Sequence, residues 1–256
     1  MAPRGLRTLL RNSSPSRLVG KGTRKHFEIK VKGRSKGVKL KGITKRLCSR
    51  VFSSGELPSI AKSSDLPAGG HWRGKGGGRR RGCAVDAQVS RMAGLTESKR
   101  RESKMLNLTK MVFSTLSTRG LEPVLGQRTV CSQIHRVGTA IDLVCHDPVR
   151  NSLVCIELKC GSSGARTAAA VNAGKACKMQ APLGKAADSV LHRHLAQLAV
   201  THHLFCKEAA TAQKLRGMGV ERVDGMLMYA NDSGVDCYPL PDWWKSRAER
   251  VLKRLA

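Results

Sequence analysis

Two short apolar runs, residues 138–145 (GTAIDLVC) and 152–159 (SLVCIELK), stand on either side of the polar stretch HDPVRN. Each is too short for a buried helix and rich in β-branched residues, so each reads as a strand. Asp, Pro and Asn between them are turn residues, and the pair reads as an antiparallel hairpin. Both strands carry charge in their interior: Asp142 in the first, Glu157 and Lys159 in the second. A charge inside an apolar strand is costly unless it is paired or binds a metal. With the turn near residues 147–151, Asp142 falls close to the pairing register of Glu157 and Lys159. Glu157 and Lys159 are two apart and share a face. Two carboxylates and an ammonium can therefore occupy one small site.

The rest of the chain supplies layers for such a hairpin. Helical spacing is expected over 83–92 (Val85, Val89, Met92) and over 98–117 (Met105, Leu108, Val112, Leu116), with Gly120 and Pro123 as stops. Residues 128–136 alternate like a strand. Residues 188–209 read as an amphipathic helix with Leu191, Leu195, Leu198 and either His202 or Phe205 on its buried stripe. Strands are expected over 220–229 and 234–240. A last helix is expected after Pro241, a residue favoured at the first helical position. The order α, α, β, β, β, α, β, β, α implies a layered α/β domain around a central mixed sheet.

Residues 1–82 read differently. The first fifty hold sixteen Lys and Arg against one acid, Glu28, and no apolar run beyond two or three residues. Residues 51–82 are rich in Gly, Ser and Pro, ending in GKGGGRRRG. We expect 1–82 to be a basic extension, mostly disordered or used for targeting, with the folded domain over 83–256. The first residues suit a mitochondrial or plastid transit peptide, a nuclear-import signal or a nucleic-acid-binding arm. The setting is expected to be intracellular, mitochondrial or nuclear. No apolar run is long enough for a membrane span.

The net charge of +29 points to polyanions, with nucleic acid first and an anionic membrane second. The nine cysteines contain no C-x-x-C pair, which argues against a zinc knuckle, and reduced thiols are expected. Gln127, Arg128, His135 and Arg136 flank a strand and are candidate phosphate contacts. Arg166 and Lys175 lie in the small, basic stretch after the second hairpin strand and are further nucleic-acid candidates. That stretch does not match a phosphate-binding G-x-x-x-x-G-K-[ST] loop. Trp243 or Trp244 could stack on a base, but a core role is the simpler reading.

Two hard carboxylates suit Mg²⁺, with Mn²⁺ as a substitute, because such ions keep water and phosphate as their other ligands. A metal so held polarises a phosphate and acidifies a bound water. Lys159 can orient that water or offset charge developing on the phosphate. Without a metal, the same trio would be a structural salt bridge.

The arrangement resembles the PD-(D/E)XK nuclease superfamily. Ile141-Asp142-Leu143 stands where the family carries its strand Asp, and Glu157-Leu158-Lys159 is an E-x-K at the end of the next strand. The Pro of the family's name is absent, since Ala140 and Ile141 precede Asp142. The resemblance covers roughly residues 83–240. It implies a restriction-endonuclease-like α-β-β-β-α-β core and hydrolysis of phosphodiester bonds, in DNA rather than RNA. Asp142, Glu157 and the backbone carbonyl of Leu158 would hold the metal. Two features resemble the RecB-like and phage-type exonuclease branch, which implies exonuclease-like more than site-specific cleavage. Arg81-Gly82-Cys83-Ala84-Val85-Asp86 opens a helix where that branch can carry an extra metal ligand, here Asp86. Gln197 lies on the helix after E-x-K where the branch tends to place a Gln near DNA or metal. Thr201 stands where an aromatic would follow. Two competing expectations are a non-catalytic nucleic-acid-binding protein of the same fold and a basic structural protein of a ribonucleoprotein.

Overall fold

The computed structural model describes residues 2–3, 5–14, 17–19, 26–29, 38–53, 77–160 and 177–256. Its centre is the expected hairpin. Strand β5 (Val137–Asp147) pairs antiparallel with β6 (Ser152–Cys160) from Asp147↔Ser152 to Leu143↔Ile156. The turn is set locally. Asp147 Oδ1 accepts the main-chain N–H groups of Val149 (3.0 Å) and Arg150 (3.1 Å). Asn151 takes the left-handed conformation (φ 44°) that Asn tolerates.

Around this hairpin the sheet grows in both directions. On the far edge of β5 lies β4 (Glu122–Ser132), antiparallel. Beyond β6 come β7 (Arg222–Asn231), parallel to it, and β8 (Gly234–Pro239), antiparallel to β7. Three short strands, β1 (Arg17–Val19), β2 (His26–Ile29) and β3 (Val38–Gly42), extend the sheet where β6 has left off, β3 lying parallel to the start of β5. The result is a mixed eight-stranded sheet, seven strands in one path with β4 beside β5.

Helices cover both faces. Helix α3 (Gly77–Met92) and α5 (Asn107–Thr118) bury Val85, Val89, Leu108, Val112 and Leu116 against Leu143, Ile156 and Met228. The short α4 (Glu97–Glu102) lies between them. On the other face, α1 (Leu6–Asn12), α2 (Ile43–Arg50), α6 (Val190–Cys206), α7 (Ala209–Gly217), α8 (Asp242–Lys245) and α9 (Ala248–Leu255) surround Ile141, Val144, Cys155, Leu227 and Tyr229. Ser189 caps α6, its hydroxyl accepting the N–H of His192 at 3.2 Å.

Several expectations are corrected. Residues 1–82 are not a detached tail throughout. Leu6 and Leu10 of α1, and Ile43, Leu47 and Val51 in and after α2, are fully buried in the same core as α6. Apolar residues spaced by four give a helix a buried stripe without any continuous apolar run. Residues 54–76 lie outside the described residues. The helix expected over 98–117 is two helices, because residues 103–106 are extended and tied down by Gln88. Its amide donates to the carbonyl of Lys104 (3.0 Å) and accepts the N–H of Leu106 (2.8 Å). The strand expected at 128–136 begins earlier, at Glu122, and Pro123 sits inside it at a register shift, as an edge strand permits. Helix α7 was not foreseen. The terminal helix is two, and Pro241 occupies the capping position before the first.

Candidate active site at the fork of β5 and β6

The ladder between β5 and β6 stops at Leu143↔Ile156. One step further, the register sets Asp142 opposite Glu157, where the strands part. On the other edge of β5, the β4 register sets Gln127 opposite Asp142. Gln127, Asp142 and Glu157 thus form one row across the sheet. Lys159 lies one repeat further along β6, and α6 passes over the row.

Side-chain bonds lock this row. Asp142 Oδ2 accepts the main-chain N–H of Leu158 at 2.9 Å, in place of the ladder bond that the fork removes. A strand residue turns its N–H and C=O to the same edge, so the Leu158 carbonyl also faces the fork. Gln127, held at φ 53°, donates its amide to Asp142 Oδ1 (3.3 Å) and to Asp86 Oδ1 of α3 (2.9 Å). Glu157 Oε1 accepts from Gln197 Nε2 of α6 at 2.6 Å and from Lys159 Nζ. Glu157 Oε2 is buried with no partner.

The electrostatics follow from burial. Glu157 is 2% exposed. Burial, and then the charge of Asp142, push its carboxyl up to about 7, against the pull of Lys159. Asp142 is raised by burial as well, opposed by Lys159 and by the bonds from Leu158 and Gln127. For Lys159, burial favours the neutral amine, but Glu157 and Asp142 outweigh it and hold the ammonium above its ordinary range. Among the described residues, Lys159 is the one cation acting on these two carboxylates, which repel each other and leave one buried oxygen without a hydrogen-bond partner.

That deficit is the observation against which a divalent metal is tested, and the donor set fits. Asp142, Glu157 Oε2 and the Leu158 carbonyl are oxygen donors at one fork, and Mg²⁺ is commonly held by one or two carboxylates with water completing its shell. Asp86 reaches the row through Gln127 and its charge is felt at Glu157. Among the described residues, no three or more His, Cys, Asp or Glu converge closely enough to hold an ion by themselves. Any ion here would rest on the two carboxylates, a carbonyl and water.

The remaining candidates divide. Asp142, Glu157, Lys159, Leu158, Asp86 and Gln197 are brought together. Arg128 is not available to phosphate. It is 1% exposed, donates to Glu208 Oε2 at 2.6 Å and to Ser13 Oγ at 3.3 Å, and packs on Phe205. The turn of the chain at Gln127 sends that guanidinium inward, into the layer beneath α1 and α7. Arg136 is exposed in the β4–β5 turn, at φ 51°. It is six residues along β5 from Asp142, about 20 Å at strand rise, so it is no part of the site. Arg166 and Lys175 lie outside the described residues. Trp244 is buried in the core and Trp243 stacks on Arg247 at 4.0 Å. None of the nine cysteines forms a disulfide.

Sequence reasoning missed His194 and Tyr229. His194 Nδ1 and the Tyr229 hydroxyl are 2.7 Å apart, and Tyr229 stands opposite Lys159 in the β6–β7 register. Burial first, then Lys159, keeps the imidazole well below its ordinary pKa and neutral. A usable signal existed: His194 precedes Gln197 by three, on the same face of α6.

Comparisons with protein-family models, with curated proteins and with solved structures found no match to this chain. Among the described residues, no helix is long and apolar enough to cross a membrane.

Proposed function

We propose that the chain is a metal-dependent nuclease that hydrolyses phosphodiester bonds of DNA at the β5–β6 fork. The observation that carries the reading is the buried Glu157, its Oε2 unpartnered beside Asp142, with Lys159 and Gln197 holding its other oxygen. Asp142, Glu157 and the Leu158 carbonyl would hold Mg²⁺ or Mn²⁺. When bound, such an ion supplies Lewis-acid polarisation of the phosphate and a more acidic water.

The chain's own groups have distinct tasks. Glu157 is held through Oε1 by Gln197 and Lys159, which leaves Oε2 without a protein partner. Asp142 is held at both oxygens, by the Leu158 N–H and by Gln127. Gln127 also restrains Asp86 at the edge of the site. Lys159 keeps its proton, and with its side chain a quarter exposed the ammonium can bond a water or a phosphate oxygen and offset charge that develops there. The net charge of +29 supports a polyanionic substrate. The choice of DNA over RNA, and of exonuclease-like over site-specific cleavage, rests on the family resemblance.

The experiment is incubation of the full chain with linear and circular DNA, single- and double-stranded, in Mg²⁺ or EDTA, beside Lys159→Ala. Metal-dependent cleavage lost in the variant supports the reading, and surviving circles support an exonuclease. If the protein binds DNA and cleaves none of these substrates with Mg²⁺ or Mn²⁺, it is a binding module and the reading is wrong.

A further inference from the structure

A second feature adjoins the row of carboxylates from the other side of Gln127. Between α1, α3 and β4 lies a cleft of about 360 Å³. Its walls carry Arg7 and Arg11 of α1 and Arg91 of α3, with Ser90, Gly126 and Gln127 at its floor. No carboxylate of the described residues lines it. All three arginines are exposed residues. Arg7 spends one bond on the main-chain carbonyl of Gly94, and a guanidinium has five N–H donors.

The cleft is built by a close approach. A Cβ on Gly126 would meet Ser90 Cα at 2.4 Å, so only glycine lets α3 lie this near β4. That contact sets Arg91 beside Gln127, whose amide reaches Asp142 and Asp86. The cationic cleft and the carboxylate row therefore share one residue, Gln127. Arg7 and Arg11 are one helical turn apart, about 6 Å along α1, and Arg91 of α3 lines the same cleft. This is a line of positive charge, longer than one phosphate needs and comparable in step to successive phosphates of an extended strand.

We propose that this cleft is a track for the sugar–phosphate backbone of a nucleic-acid strand, engaging internal phosphodiesters and leading past Gln127 to Asp142. Only the direction of travel rests on the nuclease reading. The ligand chemistry follows from the arginines alone, since bidentate guanidinium contacts suit phosphate oxygens. Two of the three contacts would then come from the basic N-terminal extension, for which a nucleic-acid-binding arm was one of the expected roles.

The test is binding of a labelled single-stranded oligodeoxynucleotide to the full chain in EDTA, across a salt series, with Arg11→Gln/Arg91→Gln and, separately, Arg7→Gln. Three oligonucleotides are used, with hydroxyl ends, a 5′-phosphate or a 3′-phosphate. Each lost phosphate contact should lower the log–log salt slope by about 0.7. For the double variant, the gain in affinity over a fourfold drop in salt should shrink about sevenfold. The change should be the same for all three ends. Unchanged affinity and slope in variants that unfold at the wild-type temperature would overturn the track. So would a loss confined to one phosphorylated end, which would mark a pocket for a single terminal phosphate. A shallower slope in the variants of a protein that never cleaves DNA would keep the track and remove the nuclease reading. Cleavage by wild type with unaltered variant binding would do the reverse.

Discussion

Glu157→Gln should make the metal-free protein more stable at neutral pH, and should flatten its stability between pH 4.5 and 7. In the folded chain the carboxyl is raised from 4.5 to about 7, first by burial and then by Asp142. The folded state therefore binds a proton that the unfolded chain has released in this window. A raised acid contributes stability that is fully present below pH 4.5 and is lost as pH climbs towards 7. The shift corresponds to about 3 kcal/mol at 1.36 kcal/mol per unit. Glutamine imitates the protonated acid. Its carbonyl can still accept from Gln197 and Lys159, and its amide places a donor where Oε2 has no partner. The assay is urea unfolding in EDTA from pH 5 to 8 for both proteins. Glu208 is also pushed up to about 7 by burial, against Arg128, but it is present in both, so its titration cancels in the difference between the curves, which reports Glu157 and the neighbours it is coupled to. Added Mg²⁺ at pH 7.5 should stabilise wild type and leave the variant unmoved. Parallel pH curves for the two proteins would refute the reasoning, since they would mean that Glu157 titrates as an ordinary exposed acid.

Gly126→Ala should lower stability by about 1–3 kcal/mol, because the new methyl group has no room against the Ser90 backbone and α3 must move; thermal unfolding reads this directly. Leu10→Ala should cost about 2–5 kcal/mol if α1 is part of the domain, whereas a detached tail predicts no change. Arg128→Ala should destabilise by about 3–5 kcal/mol by stranding Glu208, and the apolar pair Arg128→Met/Glu208→Leu should recover most of it; an equal loss in both variants would show that the ion pair is not the cause.

The hairpin and its three charges were legible in the sequence because strand patterning has a period of two and because charges inside apolar runs are rare. Those facts placed Asp142 close to the pairing register of Glu157 and Lys159; that it stands opposite Glu157 itself follows from the β5–β6 register. The bridge from Gln127 to Asp86 was not legible, because it depends on one residue at φ 53° and on how near α3 packs to β4. Arg128 was misplaced for the same reason: strand alternation alone cannot say that the residue after such a bend turns inward. Leu6, Leu10, Ile43 and Leu47 were hidden by the surrounding Lys and Arg, whose charge suggested a tail although the spacing by four already marked buried helices. His194 was passed over because its partner, Tyr229, belongs to a strand that comes beside Lys159 only through the parallel β6–β7 pairing.

The most direct test of the central claim is the rate of DNA cleavage against Mg²⁺ concentration for wild type and for Asp142→Asn. The account predicts saturable activation by Mg²⁺ in wild type and no detectable cleavage by an equally folded Asp142→Asn. Cleavage that persists in EDTA, or full activity in Asp142→Asn, would contradict it.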